Sequence, residues 1–465
     1  MVVRTCVAWY SASIDVCRLQ DCIMLDVAII GAGPAGLAAA AALIRCTSNP
    51  AGIQVFDHIP KFEVCGAGLA VRSNGYAALG AINASLPQKV ADLVSQQSTT
   101  VMHSLDGKVL RTMVTPRKTA PDARRDTTAL GWSELRDALA DEVPSSNINL
   151  SKRLSHMVMN EDAVTLHFTD KSTVDAKVVV GADGCFSKVR QQTLADGLPT
   201  YTGTTMWRAR LKSTKPCNET HILSGGKLLA MFYAIGAQGQ LVWTVSASQA
   251  HLEEAGLSAR HGPSRNQDSN CKENQSPAQH AQHAGLNEQE EAKGNEHEDA
   301  SAKERCKKVW GDRSKLLSDL IDATDDSTIL EHNMYIRHPD SLSQGHWGKG
   351  RVTLVGDAAH PMRPASGQGM NQALEDAVEL AQAIKQGGFT PSSLRSFESS
   401  RIPRVQEIMA AEMVLGLKAY AGCPEEMPEP LRCFKHATAL WHGTDAGEYN
   451  KWAVKDRSFA PLSAE

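Results

Sequence analysis

Apolar residues along this chain recur with changing period, and each period predicts an element. Asp26–Ile30 is a nearly unbroken apolar run that stops at glycine, which marks a buried strand, and Ala35–Arg45 continues as a helix. Ile53–Asp57 reads as a second strand and Trp132–Asp141 as a helix. Val164–Phe168 reads as a strand by its alternation, and Val178–Val180 as a short strand closing on Gly181. From Tyr201 to Ser246 the pattern changes. Thr204–Leu211, Lys227–Tyr233 and Leu241–Val245 are strand-like runs with no helical stretch between them, which predicts an antiparallel sheet. Lys307–Asp322 and Gln368–Lys385 have the spacing of amphipathic helices. Strands that alternate with helices, interrupted by strands that do not, predict an α/β nucleotide-binding domain with a β-rich domain threaded into it.

Two stretches break the pattern. Residues 1–23 precede the first strand and carry Arg4 and Arg18 against two acids, Asp15 and Asp21. They could be an organelle-targeting leader, a mis-assigned start ahead of Met24, or a short disordered tail. Between Gly256 and Arg305 there is no Val, Ile, Met, Phe, Tyr or Trp. Such a segment cannot bury enough apolar surface to offset the entropy of ordering it, so a disordered insertion is expected. Its histidines, His261, His280, His283 and His297, fit a solvated loop better than a metal site. The expected organisation is a leader at 1–23 and the first part of the nucleotide-binding domain at 24–200. The β-rich substrate domain, with the insertion 256–305, takes 201–335. The second part of the nucleotide-binding domain takes 336–415, and a tail without a usable motif takes 416–465.

Composition narrows the function classes. With 42% hydrophobic and 22% charged residues, most of the 465-residue chain should fold around real cores. A net charge of -4 offers no basic excess for nucleic acid or acidic membranes. The longest apolar run, Leu37–Leu43, is too short to cross a bilayer. Eleven cysteines without a Cys-x-x-Cys pair read as reduced thiols of an intracellular, cytoplasmic protein, with no disulfide framework and no metal site.

Three strand–loop–helix motifs carry the candidate chemistry. The first is Gly31-Ala-Gly33-Pro34-Ala35-Gly36. Gly31 would make the tight turn, Gly33 would let a pyrophosphate approach the backbone, and Gly36 would let helix and strand pack closely. Asp57 ends the next strand at the spacing, roughly 20 residues on, of an acid that accepts from ribose hydroxyls. The second is Gly181-Ala-Asp183-Gly184-Cys-Phe-Ser187-Lys-Val-Arg190, where Asp183 could equally be a plain helix cap. The third runs from Gly356-Asp357 through Pro364 and Gly367-Gln368-Gly369-Met370-Asn371 to Asp376. It puts one carboxylate and a row of backbone N–H groups at the mouth of a sheet. Two such mouths far apart in sequence suit a long ligand spanning both, and FAD has that shape.

In this order the three motifs resemble the fingerprints of the single-component flavoprotein monooxygenases, the p-hydroxybenzoate hydroxylase family. The look is nearest to zeaxanthin-epoxidase-like and urate-hydroxylase-like members. Gly66-Ala-Gly68-Leu-Ala-Val-Arg-Ser-Asn74 and Phe397-Glu-Ser-Ser-Arg401-Ile-Pro-Arg404 resemble further family segments. The resemblance implies an α/β fold in which a Rossmann-like FAD-binding domain of the glutathione-reductase type carries an inserted antiparallel substrate sheet. It implies FAD, NADPH or NADH as a transient electron donor, dioxygen, and a small organic substrate hydroxylated or epoxidised through a flavin C4a-(hydro)peroxide. By the same resemblance, Asp357 would hold the ribityl hydroxyls, Pro364 and the Ser366–Asn371 backbone would line the isoalloxazine, and Asp183 would shape the pyrophosphate and nicotinamide cleft. Gly68 falls in the family's segment after the second strand.

One departure stands out. Where the family carries Arg-x-x-Leu, this chain has Trp132-Ser-Glu-Leu135, so Arg136 is the candidate substitute for a cofactor-touching arginine. His58 stands where a basic residue often follows the strand-2 acid. No acid or base side chain is obligatory for this chemistry, so no triad is expected. Trp207, Arg208, Arg210, Phe232 and Tyr233 are the substrate-pocket candidates, each with core packing or sheet pairing as the plainer reading. A reductase, cyclase or halogenase of the same superfamily is the alternative, although the halogenase run Trp-x-Trp-x-Ile-Pro is absent from the sequence. A non-catalytic Rossmann-like binding protein would not need the full 356–369 loop.

Overall fold

The computed structural model describes residues 24–94, 99–114, 128–211, 219–225, 228–236, 240–260, 300–342, 345–418, 426–442, 449–455 and 457–462. Strand β1 (Leu25–Ile30) is buried along its whole length, as suits a central parallel strand covered on both faces. Helix α1 (Pro34–Ile44) starts on Pro34, whose fixed φ suits the first helical position, and its run of alanines lets it bury on two sides at once. β2 (Ile53–Phe56) lies parallel to β1. β3 (Gly68–Val71), α2 (Ser73–Ile82) and α3 (Leu86–Asp92) follow. Next come β4 (Thr99–His103), β5 (Val109–Val114), β6 (Thr128–Gly131), α4 (Trp132–Ala140) and β7 (Ile148–Asn149). β8 (Leu154–Met159), β9 (Val164–Phe168) and β10 (Thr173–Gly181) form a meander that leads to α5 (Lys188–Leu194).

The second half opens with β11 (Thr200–Leu211), β12 (Glu219–Gly225), β13 (Leu228–Ile235) and β14 (Gln240–Ser248). α6 (Gln249–Glu254), α7 (Ala302–Trp310), α8 (Lys315–Asp322) and β15 (Leu330–Ile336) complete that domain. The chain then runs through β16 (Val352–Leu354), α9 (Gly369–Gly387), α10 (Pro391–Gly416) and α11 (Lys435–Trp441).

In the first sheet the order is β7-β2-β1-β10. The N-terminal half of β10 pairs antiparallel with β9, and its C-terminal end pairs parallel with β16. α1 packs on α4 and α9, and α9 on α2 and α10, which encloses the main core. The second sheet has the order β15-β11-β14-β13-β12-β4-β5. α7 and α8 back one of its faces around Trp207, Phe232, Trp243, Cys306 and Trp310. The architecture is the expected one, an α/β domain with an inserted, largely antiparallel sheet.

Three expectations need correction. The helix expected over Lys307–Asp322 is two helices, because Gly311 ends α7 and Ser314 starts α8. The break lets Trp310 and Leu317 both turn into the same core. The ends of the expected insertion 256–305 are folded. Leu257 is buried, and Arg305 is buried in an ion pair with Glu331 at 2.9 Å and donates to Ser258 O. A polar composition hid them, since the segment packs through one leucine and one paired arginine. The disorder expectation falls on 261–299, and the leader on 1–23, both outside the described residues. Finally, the span 24–200 is not all one domain. The β4–β5 hairpin joins the edge of the second sheet, with β4 parallel to β12.

Candidate active site

Parallel pairing of β1, β10 and β16 brings the three motifs together. Ile30 pairs with Gly181 and Gly181 with Leu354, so all three strands end at one edge of the sheet. The loops are stitched there by Gly31 N–H to Phe56 O at 2.8 Å, Ala182 N–H to Ile30 O at 2.8 Å and Val355 N–H to Gly181 O at 2.9 Å.

The glycines divide by role. Gly31 has φ +114°, and a Cβ there would lie 2.3 Å from Ala182 O; a Cβ on Gly36 would lie 1.9 Å from Gly31 O. Both positions admit glycine alone. Gly33 is different, since a Cβ there would meet nothing nearer than the Trp132 ring at 3.7 Å. It is the open position over which a ligand backbone or phosphate can pass. Pro34 and Ala35 set the helix start, and Ala35 also touches the third loop: a Cβ on Gly356, at φ +58°, would lie 2.8 Å from the Ala35 methyl.

The three carboxylates meet different fates. Asp57 accepts from Ala32 N–H at 2.6 Å and Ile59 N–H at 3.0 Å, with His58 at 3.1 Å. Burial pushes its pKa up, but these partners outweigh burial and hold it below the usual value. Asp183 is used as the cap that the sequence allowed. It accepts from Ser187 Oγ at 2.5 Å, Lys188 N–H at 2.7 Å and Val189 N–H at 3.0 Å at the start of α5. Asp357 makes no hydrogen bond or ion pair among the described residues, and it is exposed at the strand mouth. Yet protein surrounds it closely enough that desolvation raises its pKa, opposed by His360. The nearby thiol of Cys185 is pushed up to about 12 by burial and by Asp357, which puts the second and third loops face to face.

In the 360–371 loop Gln368 and Asn371 turn their side chains inward, while Pro364 is exposed. Gln368 Oε1 accepts from Asn74 at 3.0 Å and Gln372 at 2.9 Å. Asn371 accepts from Arg72 N–H at 2.8 Å and donates to Ala70 O at 3.0 Å and Gly367 O at 2.7 Å. Gly367, at φ +73°, makes the turn into α9, and a Cβ on Gly369 would meet nothing nearer than Met362 at 3.9 Å. Met370 packs partly into the main core. The N–H groups of the first helical turn lack intrahelical partners and point out of the N-terminus, toward the loop's open side. Pro364 lies in the same loop.

Other candidate residues are tied to the protein itself. Arg136 is buried, donates to Glu63 O at 2.9 Å, pairs with Asp137 at 2.7 Å and stacks over Phe62 at 4.6 Å. Its guanidinium anchors the 62–65 segment, while the Trp132 ring lies beside Gly33. Gly68 is the contact with the second sheet, where a Cβ would lie 2.6 Å from Tyr233 Oη. Trp207 and Phe232 are corrected as pocket residues. Pleating turns them to the helix-backed face, where both are buried in the Trp243–Trp310 core. Arg208, Arg210 and Tyr233 are on the opposite face, which meets β3. Arg210 is committed to Glu134 at 2.8 Å and Gly66 O at 3.1 Å. Arg208 Nε is buried and has no hydrogen-bond partner, and desolvation lowers its pKa. Tyr233, next to it, is pushed up to about 12 by burial against the pull of Arg208 and Arg210.

Other site residues escaped the sequence reading. His332, opposite Met206 on the Arg208 face, is held well below the usual histidine pKa by desolvation and then by Arg208, and its Nδ1 has no partner. It had no local signal. Arg190 clamps the third loop to the second, donating to Ala359 O at 2.7 Å and pairing with Asp196 at 2.6 Å. Arg401 bridges Asp376 and Glu375 at 2.8 Å each, Arg404 meets Glu375 at 2.7 Å, and Asp376 in turn holds His360 at 2.7 Å and Gly356 N–H at 2.9 Å. Asp376, Arg190, Arg401 and Arg404 lie in the sequence motifs, but their mutual pairing is not legible in the sequence.

Comparison with known proteins agrees with this geometry. Residues 95–412 match the model of a family described as the FAD binding domain. The chain is 26% identical to 3-amino-4-hydroxybenzoate 2-monooxygenase of Streptomyces cremeus, over 83% of this chain and 85% of that protein. It is 24% identical to 6-hydroxynicotinate 3-monooxygenase of Bordetella bronchiseptica, over 82% and 89%. The crystal structure of Klebsiella pneumoniae HpxO complexed with FAD and uric acid has a similar fold, with a TM-score of 0.63 over 92% of this chain and 94% of that one at 19% identity.

Proposed function

As a member of the FAD binding domain family, this chain is an FAD-dependent monooxygenase that takes electrons from NADPH or NADH, and we propose that its substrate is a small aromatic acid held beneath Arg208. The observation that carries the substrate class is the desolvated guanidinium of Arg208, whose Nε lacks a partner on the sheet face that meets β3. A half-buried guanidinium whose buried Nε has no partner favours a ligand that brings an anion. Two relatives are named for substrates that carry a carboxylate, 3-amino-4-hydroxybenzoate and 6-hydroxynicotinate, which supports the same reading.

The donor set fits FAD. Gly33 leaves room for a pyrophosphate, Asp57 stands at the end of β2 for an adenosine ribose, and the unpaired Asp357 stands at the end of β16 for the ribityl hydroxyls. Gly31 and Gly36 shape that turn, and Asp183 fixes the α5 start beside it. Pro364 and the Gly367–Asn371 backbone would line the isoalloxazine, with the N-terminal dipole of α9 aimed where negative charge builds on reduction. When bound, FAD supplies the two-electron chemistry that couples nicotinamide oxidation to the use of dioxygen, one oxygen atom entering the substrate and the other leaving as water. The chain's own work is to orient and to exclude water. The second sheet roofs the cleft, Arg208 fixes the acid end of the substrate, and neutral His332 and Tyr233 offer hydrogen bonds to its ring substituents. We assign the described residues within 24–94, 128–200 and 336–415 to a nucleotide-binding part and those within 99–114 and 201–335 to a substrate part. No described helix is long and apolar enough to cross a membrane.

Purified protein should be yellow, and its NADPH or NADH oxidation should speed up with hydroxylated aromatic acids and not with their methyl esters. Stimulation by the esters alone would overturn the substrate class. Arg208→Met should raise KM for the acid by about 10- to 100-fold, the value of one charge-assisted contact, with a smaller change in kcat. An unchanged KM would remove Arg208 from the site.

A further inference from the structure

Glu412 lies on α10 and is completely buried, and from 46 residues away it grips the flavin loop. Its Oε2 accepts from Ser366 N–H at 2.9 Å, and its Oε1 accepts from Ser366 Oγ. From the other side, Arg72 at the start of α2 donates to Ser366 O through Nη2 at 2.7 Å and Nε at 3.2 Å. Ser366 is therefore held at its N–H, its hydroxyl and its carbonyl, one residue before the left-handed Gly367 that turns the chain into α9. We propose that Glu412 is a positioning residue for the cofactor, and that gain or loss of a proton at its carboxyl group resets the Ser366–Gly369 backbone and so couples FAD binding to pH.

The physical basis is the hydrogen-bond inventory of a carboxyl group. Ionised, Glu412 is acceptor only and satisfies both donors of Ser366; protonated, one of its oxygens becomes a donor and the Ser366 hydroxyl must turn to accept. The carboxyl group is itself fully buried, so its two protonation states give the loop two bonding patterns. Burial pushes the Glu412 pKa up to about 7, against the Ser366 hydrogen bonds and Arg72, so both states occur near neutral pH. The groups facing this pocket are Arg72 from α2, Ser366 and the Ala365 backbone from the loop, and Tyr449 from the tail, with Arg404 of α10 acting on Tyr449. Burial, and after it Glu412, pushes the Tyr449 hydroxyl up, so that group stays neutral throughout. Because the folded pKa lies above that of an unfolded glutamate, the stabilising contribution is complete below about 4.5 and is lost as pH rises to about 7.

The proposal rests on the FAD reading above, and two measurements separate them. First, FAD is titrated by fluorescence quenching into wild type, Glu412→Gln and Ser366→Ala between pH 5.5 and 8.5. Wild type should show a several-fold change in Kd centred near neutral pH. Glu412→Gln, which cannot ionise, should be flat. Ser366→Ala should keep the transition but move it to higher pH, because a hydrogen bond that favours the anion is gone. Second, the unfolding midpoint of the FAD-free protein should fall between pH 5 and 7 more steeply in wild type than in Glu412→Gln. Equal pH dependence of wild type and Glu412→Gln in both measurements would overturn the role of Glu412 while leaving the cofactor reading intact. Failure of wild type to bind FAD at any pH would overturn both.

Discussion

Replacing Arg401 with alanine is expected to cost the folded protein about 3–5 kcal/mol, the range for breaking a buried ion pair from one side. Arg401 is fully buried, and so are the two carboxylates it joins, Glu375 and Asp376 on α9. Its Nη2 also donates to Gln372 Oε1 at 2.7 Å. Alanine would leave Asp376 with His360 and the Gly356 N–H alone, and Glu375 with Arg404, Arg457 and Asn74. Burial works against ionised Glu375, but Arg401, Arg404 and Asn74 outweigh it and bring its pKa down to about 2. A carboxylate whose pKa is lower in the folded state stabilises above its unfolded value of about 4.5 and loses that contribution as pH falls toward about 2. Arg401→Ala should therefore lower the unfolding midpoint in denaturant at neutral pH and start acid unfolding at a higher pH than the parent. A loss under about 1 kcal/mol, the worth of an exposed pair, would contradict this account.

Asp357→Ala should leave the fold intact and weaken FAD binding by about 10- to 100-fold, the equivalent of one or two charge-assisted hydrogen bonds. The separation of the two effects follows from the structure. Asp183 and Asp57 are tied to backbone N–H groups, so removing either would disturb its own loop. Asp357 has no partner to lose among the described residues, so its removal should be felt by the ligand alone. Gel filtration of reconstituted protein gives the test: the wild type should stay yellow and the variant should elute with little flavin, while the FAD-free forms of the two should share one thermal midpoint. A variant that stays fully yellow would take Asp357 out of the cofactor site. Asp357→Asn, which keeps an acceptor oxygen, should recover part of the affinity.

How far the site could be read in advance depended on how local each signal was. Gly31, Gly33 and Gly36 were readable because a tight turn, a close approach and a helix–strand contact are each decided within a few residues. Asp57 and Asp357 were readable as strand-terminal acids. Arg136 has the helical spacing of a cofactor-touching arginine, and its burial against the 62–65 segment is set by residues far from it in sequence. Trp207 and Phe232 were chosen as large aromatics in strands. Which face of a strand is inward depends on what covers it, and α7 and α8 cover theirs.

The sequence by itself determined the order of elements, the three glycine loops and the α/β plan, because strand and helix periodicity and turn chemistry are short-range properties. Only the tertiary structure decided that β4 and β5 belong to the second sheet, that Arg208 and not Trp207 is on the sheet face that meets β3, and that Arg401 and Glu412 hold the 356–371 loop from α10. Those choices depend on parallel strand register and on desolvation by distant segments, which are sums over contacts that no local window of residues contains.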